Sequence, residues 1–348
     1  MLQGPPADRL PAYPASWYLF GRTRDLRDGL RSRDLLGRRL VAVRTRSGRL
    51  AVLEARCSHL GADLGRGRVV DETVQCPFHN WRYDPDGRCV HIPNTECIPS
   101  FARQTTFPVE ERHGLLYVFN GPQPLFPLPF FAGERAEDFV AGRPYSFRAD
   151  SAWYMIAANG FDAEHFLAVH DRTFLGPPIV DCPEPFARRM RYTAQVTGTS
   201  AYDLLLRAFV GDRVEVSITT WGGPYLLVTG RFRCAHSYIL IALHPVDDDT
   251  TDVDVLVFAR RSRNPLVRAL LTPLSLWLRR LFTRGFLQDD LTRLGGIRYN
   301  PASLIDSDRE LIEYFRWVAA LPRTSGDIRK PRDTFVTVVP FQGERRGY

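Results

Sequence analysis

From Trp17 to Asn120 short apolar runs alternate with Gly- and Asp-rich breaks. RRLVAVRT (38–45), GRLAVLEA (48–55), TVQC (73–76) and GLLYVFN (114–120) read as strands, and their spacing predicts a small all-β domain over 15–120. GPQPLFPLPFF (121–131) holds four prolines in eleven residues and predicts a stiff linker, which leaves 132–348 as a second domain. There 145–156 is strand-like and 159–170 helical. Six runs (190–197, 201–209, 213–221, 225–234, 237–244 and 252–260) predict antiparallel strands, and helical period returns over 265–294 and 308–319. Strands followed by helices predict an α+β domain with a helix packed on a curved sheet.

Composition narrows the class. Hydrophobic residues make up 44% and charged residues 24% of 348, which fits a globular protein and excludes a disordered chain, a collagen or a coiled coil. The net charge is +7, and every basic residue except Lys330 is an arginine. The arginines are scattered rather than clustered, which argues against a nucleic-acid partner, although a mild positive field attracts acidic proteins or anionic membranes. No apolar run approaches the roughly 18 residues of a membrane span. The start MLQGPPADRLPAYPASW has no apolar signal core, and six cysteines are too sparse for a disulfide scaffold. A reducing, cytoplasmic setting is expected, in which a Cys/His pattern points to metal.

Such a pattern exists. Cys57-Ser58-His59 and Cys76-Pro77-Phe78-His79 form C-x-H and C-x₂-H, sixteen residues apart. Zinc would accept all four in one tetrahedron, whereas a Rieske [2Fe–2S] centre takes both cysteines on one iron and both histidines on the other. The surroundings C-S-H-L-G-A and C-P-F-H-N-W, with Tyr83 and Asp84 after them, resemble the two halves of a Rieske cluster-binding domain. Asn80 stands where that family usually has Gly; Asn tolerates the left-handed conformation, so the departure is mild. Cys89, Cys97, Cys182 and Cys234 have no such spacing and are expected to be small buried hydrophobes. His91, His113, His236 and His244 are read as packing or surface residues.

A second run, Asn159-Gly-Phe-Asp162-Ala-Glu-His165-Phe-Leu-Ala-Val-His170, gives N-x₂-D-x₂-H-x₄-H. On a helix Asp162 and His165 share a face. His165 and His170 lie about 140° apart on an ideal helix, so their convergence needs the helix to end or to bulge there. With the Cys/His motif this run resembles Rieske non-heme iron oxygenases, whose mononuclear iron sits in a 2-His-1-carboxylate triad with open positions for O₂ and substrate. The resemblance implies His165 and His170 as iron ligands. It implies Asp162 as a hydrogen-bonding bridge between an iron ligand and a Rieske histidine, and it matches Asn159 to an Asn frequent near the iron. Ala158 stands where an acidic residue is common, and Glu164 is expected to be solvated or in a supporting position.

The third ligand must then be a carboxylate downstream, and Gln288-Asp289-Asp290 supplies it. Asp290 shares an apolar stripe with Phe286, Leu287, Leu294 and Ile297, whereas Asp289 sides with Gly285, Thr292 and Arg293. A charge on a buried stripe is costly unless paired or metal-bound, which favours Asp290. Asp289 stays the second choice, and a solvated acidic pair is the alternative to both.

The resemblance spans roughly 15–320, and RYNPASLIDSDRELIEYFRW (298–317) resembles 3-ketosteroid 9α-hydroxylase and cholesterol 7-desaturase relatives. It implies an N-terminal Rieske domain, a helix-grip (START-like) catalytic domain and a homotrimer in which one chain's cluster serves its neighbour's iron. It further implies Fe(II), O₂, electrons from a ferredoxin or an NAD(P)H-dependent reductase, and hydroxylation, demethylation or desaturation of an apolar, sterol-like substrate. A ring-hydroxylating dioxygenase of a small aromatic and a Rieske electron carrier are the alternatives. The stretch 264–286 combines Leu, Trp and Phe with four arginines. It reads either as a helix covering the catalytic sheet, interrupted at Pro273, or as a basic amphipathic element in peripheral contact with a membrane.

Overall fold

The computed structural model describes residues 3–324 apart from Arg27. Period-two alternation gives the N-terminal strands two buried faces. In the antiparallel strands Arg38–Arg44 and Leu50–Glu54, residues Val41, Val43, Ala51 and Leu53 enter one core with Cys57, Cys76 and Trp81. Leu40, Ala42 and Val52 enter another with Tyr18, Phe20 and Leu116. Strands Leu30–Leu35 and Thr106–Phe107 flank this pair on either side. A second four-stranded sheet (Arg68–Val70, Thr73–Gln75, Arg82–Tyr83, Cys89–His91) and a three-stranded one (Trp17–Arg22, Leu115–Phe119, Val109–Arg112) complete an all-β unit.

The segment 121–131 forms no strand or helix, yet Phe126, Leu128 and Phe131 are buried. It is pinned to the surface that it crosses. Beyond it lies a nine-stranded antiparallel sheet. Its spine runs Phe139–Ala141, Thr251–Arg260, His236–Pro245, Tyr225–Arg231, Arg213–Trp221, Ala187–Val196, Arg172–Phe174. Tyr145–Ala149 and Ile179–Glu184 pair at the sides. Alternation again sorts neighbours to opposite faces. Leu226 packs with Trp153, Phe161, Phe166, Tyr314 and Phe315 from the helices. Tyr225 and Leu227 pack with Trp17, Tyr117 and Phe119 of the β unit. Each such fully buried side chain contributes about 1.5–3 kcal/mol of transfer free energy.

One buried polar knot crosses between the halves. Arg33 donates to the Leu19 and Phe20 carbonyls and lies 3.3 Å from Asp254, which also accepts from Ser146 and from His244 Nε2 at 3.0 Å. Burial opposes ionisation of Asp254, but the His244 and Arg33 contacts outweigh it and hold the carboxyl well below the usual range. Burial and the Arg33 charge depress His244, whose Nε2 meets the Asp254 carboxylate, so this residue is part of the knot rather than simple packing.

Among the described residues five α-helices accompany the sheet: α1 (Trp153–Ala158), α2 (Ala163–His170), α3 (Ala201–Phe209), α4 (Thr272–Leu294) and α5 (Arg309–Ala319). Three local expectations need correction. The run 145–156 is strand only to Ala149 and then becomes α1. The run 201–209 is helical, because Ser200 caps it by accepting from the Asp203 N–H at 3.1 Å and AYDLLLRAF holds no β-branched residue. Pro273 does not interrupt its helix. A π turn over Val267–Leu271, whose last bond runs from the Thr272 N–H to Val267 O, leads without a break into α4, and this irregular turn accommodates the bond that Pro273, the second residue of α4, cannot donate.

Candidate functional site: two metal-donor centres

The four Cys/His donors sit on two tight turns. Cys57–His59 follows strand Leu50–Glu54, and its turn closes through Cys57 N–H to Ala62 O (2.9 Å) and Gly61 N–H to Cys57 O (2.8 Å). Cys76–His79 precedes strand Arg82–Tyr83 and closes through Cys76 N–H to Trp81 O (2.8 Å). Asn80 takes the left-handed conformation, with φ of 59°, that the turn after His79 requires.

Both thiols are buried, and the rings of His59 and His79 lie 4.6 Å apart between centroids. The His59 ring stacks on Trp81 at 4.5 Å with an interplanar angle of 4°, which fixes its orientation. Its Nδ1 is buried without a hydrogen-bond partner, an uncompensated atom that a metal bond would satisfy. Tyr83 Oη lies 3.1 Å from Cys57 Sγ and 2.9 Å from Ser58 Oγ. Burial pushes the Cys57 thiol up and the Tyr83 hydrogen bond only partly offsets this, so its thiolate needs a cation beside it.

Spread separates zinc from a cluster. Donors of one tetrahedral zinc lie about 3.3–3.8 Å apart, from Zn–N and Zn–S bonds near 2.1 and 2.3 Å. Among the described residues, the group of three or more His, Cys, Asp or Glu donor atoms within 4.8 Å of one another is His165, His170 and Asp290. Among the described residues the four Cys/His donors form no such group of three, and their two-Cys, two-His make-up suits two irons bridged by sulfide.

The second centre is built where two helices meet. Asp162 is the N-cap of α2, its Oδ1 accepting from the His165 N–H at 3.1 Å. The helix ends at His170, because Asp171 turns left-handed at φ 50°. That termination lets His170 swing toward His165, and the ring centroids lie 5.0 Å apart. From α4, Asp290 Oδ1 lies 2.9 Å from both His165 Nε2 and His170 Nε2. Cis donors on an ion about 2.1 Å from each lie about 3 Å apart, so the spacing fits a metal. The His170 side chain is 2% exposed and that of Asp290 14%. Burial opposes ionisation of Asp290, yet the His165 and His170 contacts hold it below the ordinary carboxylate range.

Around this triad is a frame that sequence reasoning missed. Phe286 stacks on His170 at 4.0 Å and 11°. Arg172 donates to the His170 carbonyl at 2.6 Å, pairs with buried Asp203 at 2.9 Å and lies over Phe286. Arg172 and Asp203 are 31 positions apart, so no local pattern announces the pair. Asn159 is half-buried at the α1 C-terminus, where its carbonyl faces the Asp162 N–H at 3.4 Å. Glu164 is exposed. The Asp289 side chain lies outside the described residues. Of the other cysteines only Cys89 is buried; Cys97, Cys182 and Cys234 are exposed, on a loop, an edge strand and a turn, which corrects the expectation for those three.

An all-β unit with a two-iron donor set, joined to a curved sheet with a 2-His-1-carboxylate triad, defines a Rieske-type oxygenase architecture. Residues 16–102 match the Rieske [2Fe-2S] domain family. The chain is 42% identical over 166 residues to aminopyrrolnitrin oxygenase PrnD of Pseudomonas fluorescens, covering 45% of this chain and 46% of that protein. It is 31% identical over 250 residues to a 3-ketosteroid-9-alpha-monooxygenase oxygenase component of Rhodococcus rhodochrous, covering 69% and 61%. These matches span about half of the relatives' own length. The fold is shared with dicamba monooxygenase bound to dicamba, at a TM-score of 0.65 and 19% identity over 87% of this chain and 95% of that one. The protein thus carries a Rieske [2Fe–2S] domain, resembles the terminal oxygenase components of Rieske non-heme iron oxygenases, and has their fold.

Proposed function

We propose that this chain is the oxygenase component of a Rieske-type non-heme iron monooxygenase. It oxidises a C–H bond of an apolar, sterol-like small molecule by hydroxylation, demethylation or desaturation. Cys57, His59, Cys76 and His79 would hold the [2Fe–2S] cluster, and His165, His170 and Asp290 the mononuclear Fe(II). When bound, the cluster supplies single electrons and the iron supplies O₂ activation. The observation that carries the reading is the shared 2.9 Å approach of His165 and His170 to one buried Asp290 oxygen.

The chain's own residues then have distinct tasks. Phe286 covers one face of His170 and keeps water from it, and Arg172 fixes the end of α2. Phe166, Phe174 and Tyr192 stack beside the histidines as an apolar wall that suits a lipophilic substrate. Asp162 spends Oδ1 on the helix cap and offers its other oxygen to a Rieske histidine of a neighbouring subunit. That role needs a head-to-tail homotrimer, and the exposed Leu60 (66%) and Phe78 (61%) beside the cluster histidines form a rim such a neighbour would cover. The electron donor is an NAD(P)H-linked reductase or ferredoxin. The sterol-like class is favoured because the ketosteroid relative's match, at 250 residues, reaches far beyond the Rieske domain.

The test is turnover of a sterol panel with a surrogate ferredoxin and reductase under ¹⁸O₂. One ¹⁸O per product, or a new double bond, supports the proposal. Two oxygens on adjacent carbons would make the protein a dihydroxylating enzyme, and no product from iron-replete protein with any sterol would remove the substrate class.

A further inference from the structure

The surface of α4 and the π turn before it is inverted relative to an ordinary surface helix. The helix packs on strand Thr251–Arg260 through a face that buries Thr272 and Thr283. On an α-helix at 100° per residue, Leu274, Trp277, Leu278 and Leu281 fall in a sector about 100° wide on the opposite side. All four are exposed, as are Leu266 (70%), Leu270 (69%) and Leu271 in and before the π turn. Solvent normally meets charge at such positions, and contiguous apolar surface of this kind marks an interaction site.

Charge identifies what meets it. Between Asp254 and Asp289 the chain has no acidic residue but seven arginines, at 260, 261, 263, 268, 279, 280 and 284. Beside the helix lies a cavity of about 390 Å³ lined by Arg233, Cys234, His236, Tyr238, Arg260 and Arg279. Arg279 is half-buried and donates to the His236 carbonyl, and among the described residues no carboxylate pairs with it. A desolvated guanidinium with spare N–H groups is a strong donor to phosphate oxygens. Arg260 is already paired with Glu134, which leaves Arg233 and Arg279 as the anion-binding walls.

We propose that this face is a membrane-docking surface for anionic phospholipid. The 266–281 segment lies in the headgroup plane with its Leu/Trp stripe immersed, its arginines at the phosphates, and one lipid phosphate seated against Arg233 and Arg279. The segment rests on the bilayer and does not cross it, since among the described residues no helix is long and apolar enough to span. The same helix carries Phe286 and Asp290 toward its C-terminal end, so docking brings the triad's helix to the phase in which lipophilic molecules dissolve.

Vesicle flotation of the full-length holoprotein tests this without substrate or electron donor, so its result is independent of the oxygenase reading. The protein should float with phosphatidylcholine vesicles containing phosphatidylglycerol, should not float with phosphatidylcholine alone, and should be released by high salt. Leu270→Ser/Leu274→Ser/Trp277→Ser should weaken partitioning at least about tenfold while leaving the Rieske absorption and circular dichroism unchanged. Arg233→Gln and Arg268→Gln, both at the surface, should each weaken it about fivefold. Failure of the wild type to float with anionic vesicles, or full flotation of the triple variant, overturns the proposal. Dissociation of an oligomer in the triple variant, seen by light scattering with a wild type that does not float, would overturn it in favour of a second copy of this chain.

Discussion

The Arg172–Asp203 pair gives the sharpest mechanical prediction. Both side chains are less than a tenth exposed, and Nη1 of the same guanidinium holds the His170 carbonyl at the end of α2. Arg172→Met keeps the apolar stem but strands a buried carboxylate, which costs about 3–5 kcal/mol. At about 2–4 °C per kcal/mol for a domain of this size, the C-terminal half should lose roughly 6–20 °C in its thermal transition. His170 would also lose the anchor that aims its ring, so ferrous affinity at the triad should fall while the [2Fe–2S] spectrum is preserved. Arg172→Met/Asp203→Asn removes the stranded charge and should recover a good part of the stability but not the ferrous affinity, because the His170 carbonyl still lacks its donor. Calorimetry with iron titration on the single and double variants separates the two effects. An unchanged transition in Arg172→Met would refute the energetic argument, and an unchanged ferrous affinity would refute the positioning role.

Other expectations follow from single contacts. Tyr83→Phe removes the hydrogen bond to Cys57 Sγ; a bond worth about 1 kcal/mol corresponds to a cluster potential roughly 20–60 mV lower, readable by protein-film voltammetry. Asp162→Asn keeps a competent N-cap, so stability and both metals should be retained while single-turnover electron transfer is lost; Asp162→Ala should additionally cost about 1 kcal/mol of stability. Asp254 has a folded pKa below its unfolded one, so its stabilisation is complete above about pH 5 and is lost as pH falls below about 4. The wild type's advantage over Asp254→Asn in urea midpoint should therefore shrink on acidification, and a constant gap from pH 7 to pH 3 would contradict the ionised knot.

Much of the site was legible in the sequence because its parts are local. Two cysteine turns and one helix each carry their donors within a few residues, and C-P-F-H-N-W even announces the left-handed Asn80. Asp290 was reached from α4's apolar stripe, where an uncompensated charge has to be explained, and the structure brings its carboxylate to both histidines. What stayed hidden is either long-range or decided by a cap. Arg172 finds Asp203 only after strand Arg172–Phe174 joins the sheet beside α3. The Leu-rich run 201–209 fits strand or helix by hydrophobicity alone, and Ser200 with Asp203 tips it to helix. His244 could not be told from a packing histidine until the β unit delivered Arg33 to Asp254.

One chain is proposed to hold both a two-iron cluster and a separate mononuclear iron. Iron counting, with EPR of the dithionite-reduced protein after anaerobic reconstitution, tests it most directly when wild type and Asp290→Ala are compared. About three irons per chain are expected in the wild type and about two in the variant, with the same Rieske-type signal in both. Zinc with no signal, or two irons in both proteins, would contradict it.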